Sequence, residues 1–361
     1  MEGIVSMKLC REKCEQTNNC GAWTWGKTRD VWGLTNMCFL KALEKGDKPK
    51  KHRNPKVVSG YLCAEEEKKE MIPSKAMMNT FDLSHHHDVA KSERSLGLLF
   101  CWCLMLPGSY EEGLVRWQYK NGANIFGCDA SAVYSNKSIQ LAHGLETRVV
   151  NTSLYCQKGG EFGTALNTDI FMHVWKKVID DCTFEDYRWT LKADPDTVMV
   201  VTRLRPILED YHDTDEGVYF NNCRMGLHGP LEVFSRNAVK AWSRGSQRCF
   251  HHFYKLCAGP CLWGEDMFID QCLEKVLEVR SVLVERLLTE AHCDPPKGWE
   301  DCKDPHSVAF HPMKKLDDHK VCTSNALAAS SRKASKDKED EEDKEEKQEK
   351  EEKEEKEEKE E

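Results

Sequence analysis

The sequence has no apolar stretch long enough to cross a bilayer. Its longest run without a charged residue, Ser95 to Tyr110, is 16 residues and contains Gly97, Pro107 and Gly108, whereas a membrane helix needs roughly 20 apolar residues. The N-terminus, M-E-G-I-V-S-M-K-L-C, lacks the basic, apolar and small-residue regions of a secretory signal. There is no C-x-x-C pair, the spacing on which zinc ribbons are built. Net charge is also absent from most of the chain. The formal charge is −9, but the last 26 residues hold eight lysines and 17 acidic side chains; taken from totals of 52 Lys+Arg and 61 Asp+Glu, they leave 44 of each sign in residues 1–335. A neutral body excludes nucleic acid as the main partner, because phosphate binding needs clustered Lys and Arg.

What is present begins with 18 cysteines, an even number that suits disulfides in an oxidising compartment. Two sequons, Asn136-Lys137-Ser138 and Asn151-Thr152-Ser153, point weakly the same way. Cysteine usage outweighs the missing leader. The expectation is a protein of the secretory pathway, in the Golgi or ER lumen, reaching a membrane only through an upstream signal or anchor. The E-E-K run from Lys336 carries no apolar residue and cannot bury a core, so it is expected to be solvated, either disordered or a fraying helix with i,i+4 Glu–Lys pairs, and residues 326–361 are taken together as a low-complexity tail.

Residues 1–66 form a cysteine-dense unit: Cys10-x3-Cys14-x5-Cys20, then G-A-W-T-W from Gly21, C-F-L from Cys38 and V-S-G-Y-L-C ending at Cys63. So small a unit needs staples. Its spacing resembles the PAN/Apple module, through these cysteines and Trp23, Leu40, Ser59 and Gly60. That resemblance implies one more cysteine, upstream, as the partner of Cys63. Residues 67–94 read as a polar linker. Its His85, His86 and His87 have no acidic or thiol companion at ligand spacing and read as solvated.

From residue 95 to 325 the pattern is βα. Leu96 to Leu106 is a continuous apolar run that suits a strand buried on both faces. Glu111 to Asn121 reads as a helix with Leu114, Trp117 and Val115 inward, and Ala123 to Asp129 as a second strand. A helix through Ile170, Val174, Trp175 and Ile179, a strand at Tyr187–Ala193 and a helix from Met267 to Leu277 follow. This alternation predicts an α/β domain with a mostly parallel sheet, whose ligands sit at the carboxyl ends of the strands. Cys249, His251, His252, Cys257 and Cys261 do not have zinc-finger spacing and read as loop disulfides.

The strand Tyr187–Ala193 ends in Asp194-Pro195-Asp196, two carboxylates where such a sheet binds ligand. Alone, D-x-D also describes a solvated turn. After a buried strand it suits a divalent cation, since hard oxygen ligands favour Mn²⁺ or Mg²⁺, and a cation there neutralises a departing diphosphate.

These residues resemble the Fringe-like β1,3-glycosyltransferases, and within them the core 1 β1,3-galactosyltransferase (T-synthase) branch. Trp189, Leu191, Lys192, Ala193, Asp194, Asp196 and Thr197 match the branch's metal motif; Cys101, Trp102 and Pro107 match its first strand. Trp175-Lys176, then Gly229, Val233, Ser235 and Ala238, then Glu265, Asp266 and Cys272, then Phe310, His311 and Pro312 follow in the same order. The resemblance implies a GT-A-type nucleotide-sugar fold and an inverting, metal-dependent hexosyltransferase. The donor would be a UDP-sugar, with galactose favoured, and the acceptor a glycan or glycoprotein. It implies Asp196, Asp194 and His311 as cation ligands, Asp194, Asp196 and Lys192 as donor-binding residues and Asp266 as general base. Two bland readings stay open: His311 as a loop histidine, and Asp266 as a first-turn helix acid. Where the family has a middle Asp the chain has Pro195, and its acceptor loop differs at His228 to Glu232. The other function open to the sequence is therefore a catalytically inactive secreted protein that binds glycan or protein.

Overall fold

The structure, a computed structural model, describes residues 10, 13–14, 16–17, 20–26, 37–42, 57–61, 96–160 and 163–335. Cys63, the 67–94 segment with His85 to His87, and the tail from Lys336 lie outside the described residues. Two compact units divide the chain, one of residues 1–71 with 181–183 and one formed by the rest.

In the first unit, β1 (Cys20–Gly26) is the middle strand of an antiparallel sheet between β2 (Cys38–Ala42) and β3 (Val57–Tyr61). Disulfides Cys10–Cys38 and Cys14–Cys20 surround Trp23, which packs against the buried sulfurs of Cys10, Cys14 and Cys38. An indole and covalent staples thus stand in for a larger core.

The second unit is a mixed α/β structure around a seven-stranded sheet. Its strands, in chain order, are β4 (Gly97–Leu104), β5 (Ala130–Ser135), β6 (Arg148–Val149), β7 (Tyr187–Ala193), β9 (Val218–Asn221), β10 (Leu231–Ser235) and β11 (Arg280–Leu283), ordered across the sheet β11-β9-β10-β7-β4-β5-β6. β8 (Val198–Met199) belongs to a smaller sheet with β12 (Leu288–Thr289) and β13 (Ala309–Phe310). Strands β7, β4, β5 and β6 run parallel, and β10 is antiparallel to β7.

The central strands are buried on both faces, as expected of such a sheet. On β4, Leu99, Cys101 and Cys103 face one cluster with α1 (Glu111–Asn121) and α3 (Val201–Glu209); Phe100 and Trp102 face the other with α2 (Thr168–Asp180), α4 (Arg236–Leu256) and α5 (Glu265–Gln271). Trp102, Trp175 and Phe234 meet edge-on in the second layer, with ring centroids 4.9 and 5.3 Å apart, a preferred aromatic geometry. Helix α4 starts where the Ser235 hydroxyl accepts from the Ala238 amide at 3.2 Å, an N-cap. Helix α1 stops at Gly122, whose left-handed φ of 59° releases the last turn.

Three expectations need correcting. The second strand is not Ala123–Asp129 but Ala130–Ser135. Asn124 has a φ of 54°, so Asn124–Gly127 winds as a 3-10 turn and the strand begins only after it. In α1 the buried residues are Leu114, Val115 and Gln118; Trp117 is half-buried and stacks edge-on against His319. The segment from Met267 to Leu277 is two pieces, α5 followed by a π-turn at Cys272–Val276. Cys249 pairs with Cys272 and Cys257 with Cys261, while His251 and His252 are exposed; these are disulfides as expected, but Cys249 lies within helix α4 and bridges to the π-turn rather than closing a loop.

The described part of the chain runs past the boundary expected at 325. Residues 316–335 are one helix, pinned by the Cys302–Cys322 disulfide, with Ala326 and Ala329 buried. Seven disulfides are present among the described residues, which suits an oxidising, secretory-type environment. No described helix is long and apolar enough to cross a membrane. Replacing Cys302 and Cys322 together by alanine should lower the unfolding free energy by about 3 kcal/mol and speed amide exchange in residues 316–335. Denaturant unfolding and hydrogen exchange, with the other disulfides intact, check this.

Candidate metal and donor site

Strand β7 carries Trp189, Leu191 and Ala193 toward one core layer and Thr190 and Lys192 toward the other, and all five are buried. The strand ends in a turn closed by the Thr197 amide donating to the Asp194 carbonyl at 3.0 Å. Each following carbonyl of this turn has its own donor. Gln118 Nε2 donates to Pro195 O at 2.7 Å, the Met313 amide to Asp196 O at 2.8 Å and Asn124 Nδ2 to Thr197 O at 2.9 Å. The Asp-Pro-Asp turn is therefore held by α1, by the 3-10 turn and by the segment after β13.

That anchoring brings Asp194, Asp196 and His311 together, with one ligand atom from each within 4.8 Å of the others. His311 Nε2 is 3.5 Å from Asp196 Oδ1, and the Tyr110 hydroxyl donates to Asp196 Oδ2 at 3.0 Å. Burial disfavours the Asp196 charge, but the His311 and Tyr110 hydrogen bonds win and hold its carboxyl below the ordinary value. Asp194 is more exposed, yet desolvation, only partly offset by Lys192, pushes it up to about 6. For His311 burial works against the cation; the bonds to Asp196 and Glu290 outweigh it and raise the ring to about 9. Two carboxylate oxygens and an imidazole nitrogen are a donor set that fits Mn²⁺ or Mg²⁺.

Lys192 is 2% exposed. Its ammonium donates to Gly229 O at 2.9 Å, Glu232 at 2.6 Å and Glu265 at 3.0 Å, lies over the Phe171 ring and is 3.8 Å from Asp194. Burial would drive its proton off, but the Glu232 and Glu265 charges raise it well above the usual lysine value. Burial also pushes the Glu232 carboxyl up, helped by the Glu265 charge. Lys192 thus meets the site through Asp194, and most of its bonding capacity goes to the two buried carboxylates and the Gly229 carbonyl.

Asp266 stands in the first turn of α5. Its Oδ2 accepts from the Gly229 amide at 3.1 Å and its Oδ1 from the Met267 amide at 2.8 Å. The side chain is half-buried, and among the described residues each oxygen accepts one hydrogen bond. Gly229 therefore links Asp266, through its amide, to Lys192, through its carbonyl.

Several residues of this neighbourhood have no motif in the sequence. Glu290 accepts from His311 Nδ1 at 3.0 Å and pairs through its other oxygen with His228. Tyr110, Gln118, Glu232 and Asn124 are equally silent. Helical spacing from Leu114 reaches Gln118 as directly as any apolar position, but a glutamine carries no hydrophobic signal.

No family model matches the chain, so the likenesses to the Fringe-like and PAN/Apple families rest on the quoted residues. Among solved structures, the chain is similar to a glycosyltransferase involved in the glycosylation of the major capsid of PBCV-1, at 10% identity over 62% of this chain and 97% of that one, with a TM-score of 0.33. It is similar to the apo-form glycosyltransferase GlyE of Streptococcus pneumoniae TIGR4 at 11% identity, over 60% of this chain and 54% of that one, with a TM-score of 0.34. Likeness at this level decides nothing about the chemistry.

Because His311 titrates near 9 and must be neutral to ligate, cation binding at pH 7.5 should release about one proton, rising toward two below pH 6 as Asp194 joins. Calorimetry in buffers of different ionisation enthalpy counts them; no proton released would remove His311 from the ligand set. Lys192→Met should cost roughly 3 to 5 kcal/mol by stranding buried carboxylates. Adding Glu232→Gln should recover part of that loss in a denaturant double-mutant cycle.

Proposed function

We propose that the chain is an inverting, metal-dependent glycosyltransferase that moves a hexose, galactose favoured, from a UDP-sugar to a hydroxyl of a glycan or glycoprotein. The observation that carries this reading is the convergence of Asp194, Asp196 and His311 after a strand buried on both faces, where an α/β sheet takes its ligand.

In this reading Asp194, Asp196 and His311 hold Mn²⁺ or Mg²⁺. When bound, the cation offsets the charge of the diphosphate leaving group. The Tyr110 hydroxyl and His311 keep Asp196 ionised, so the carboxylate is ready to ligate at neutral pH. Asp266 takes the proton of the acceptor hydroxyl as that oxygen bonds to the anomeric carbon and the bond to the diphosphate breaks, in one displacement with inversion. Gly229 restrains Asp266 through its amide, and the buried Lys192, Glu232 and Glu265 group holds Gly229 in turn. The cluster of disulfides fits work in the secretory pathway on secreted or surface glycans.

The competing reading, a binding protein without turnover, draws on Pro195, which leaves the metal turn one carboxylate short of the family pattern. Purified protein assayed with Mn²⁺ against a panel of UDP-sugars separates the two. Transfer or hydrolysis that Asp196→Ala abolishes and Asp266→Asn lowers by about 10² to 10⁴ in kcat is the expected result. No turnover with any donor supports the binder, and full activity in Asp266→Asn would remove that residue as base.

A further inference from the structure

We propose that Glu290 is the positioning residue of the cation site. It fixes the ring of His311 so that Nε2 faces the two aspartates, and His228 holds Glu290 in that pose. The inference rests on the proposed cation site and extends it to residues that no motif marks.

The backbone sets the pair before the side chains do. Strands β12 and β13 run parallel, with Leu288 opposite Ala309 and Thr289 opposite Phe310. Continuing that register by one residue sets Glu290 beside His311, and the His311 amide donates to the Thr289 carbonyl at 3.1 Å. Glu290 is 5% exposed, a buried carboxylate that must be fully paired. One of its oxygens accepts from His311 Nδ1 at 3.0 Å; the other pairs with His228 Nδ1. With Nδ1 of His311 committed to the carboxylate, Nε2, 3.5 Å from Asp196, is the nitrogen left to ligate. An imidazole ligand whose other nitrogen is held by a carboxylate has a fixed ring orientation and higher basicity.

The far end of this chain is also tied down. His228 lies five residues after Cys223, and Glu290 three before Cys293; the Cys223–Cys293 disulfide joins the two loops. The His228 amide donates to Asn222 Oδ1 at 2.8 Å. Asp196, His311, Glu290 and His228 therefore form one line of contacts, from the cation site to a disulfide-clamped pair of loops.

The whole 361-residue chain is titrated with Mn²⁺ alone, followed by electron paramagnetic resonance and calorimetry. For Glu290→Ala the dissociation constant is expected to rise about 10- to 100-fold. Glu290→Gln keeps the volume and one acceptor oxygen, and is expected to fall between wild type and Glu290→Ala. His228→Gln is expected to weaken binding less than Glu290→Ala. Melting in the absence of Mn²⁺ separates positioning from mere support: a Glu290→Gln protein that melts like wild type and still binds Mn²⁺ more weakly supports the proposal. Wild-type affinity in both Glu290 variants overturns it while leaving the cation site standing. No Mn²⁺ binding by the wild type itself overturns the cation site, and this inference with it.

Discussion

A charged lysine at the buried end of the central strand sets terms that the surrounding structure must meet. The Lys192 ammonium lies over the Phe171 ring, in the core layer that also holds Trp175 and Phe234, where an unpaired ammonium would be very costly. Strand β10 answers with Glu232 and helix α5 with Glu265, while the Trp175 indole donates to the second oxygen of Glu265 at 2.9 Å. The carbonyl of Gly229 completes the ammonium's partners. Neutralising one buried charge thus fixes how α2, α5 and the 222–232 loop approach the end of β7. Asp194 lies 3.8 Å from that ammonium, and Asp266 is tied to the same group through the Gly229 amide.

The same economy appears one layer further out. Asp196 and Glu290 are both buried carboxylates, and each is kept ionised by imidazole hydrogen bonds. Glu290 is held down to about 2, because the bonds to His228 and His311 overcome the desolvation that would raise it. A row of alternating acids and imidazoles can be buried at modest cost when each donor finds an acceptor. Such a row is stiff, and stiffness is what a ligand set needs if it is to favour one cation geometry.

Legibility in the sequence followed the physical nature of each signal. The run from Leu96 was readable because burial on both faces leaves an unbroken apolar string, and the strand Tyr187–Ala193 because Trp189, Leu191 and Ala193 alternate with Arg188, Thr190 and Lys192. The Asp-Pro-Asp turn was readable because it follows that strand directly. The segment at Ala123 was misread because Ile125 and Phe126 are as apolar as strand residues; the left-handed backbone at Asn124 is what bends them into a turn. Trp117 was misread as core and Gln118 passed over, since side-chain polarity hid that the amide is buried for the sake of the Pro195 carbonyl. The helix at residues 316–335 crosses the domain boundary expected at 325, and it left no clear signal because beyond that boundary it buries only small alanines, Ala326 and Ala329.

By itself the sequence determined the α/β alternation, the neutral body, the disulfide-rich character and the two aspartates after β7, all of them local or compositional properties. Only the tertiary structure decided that His311, over a hundred residues downstream, meets those aspartates, and that Glu290 stands behind it. The reason is that each directly follows a strand of only two residues, Leu288–Thr289 or Ala309–Phe310, whose pairing is set by neighbouring backbone and leaves almost no periodicity to read. It also decided the role of Lys192: the chain shows a lysine beside a metal motif, and the fold turns its side chain inward, because side chains on a strand alternate and its neighbours Leu191 and Ala193 take the other face.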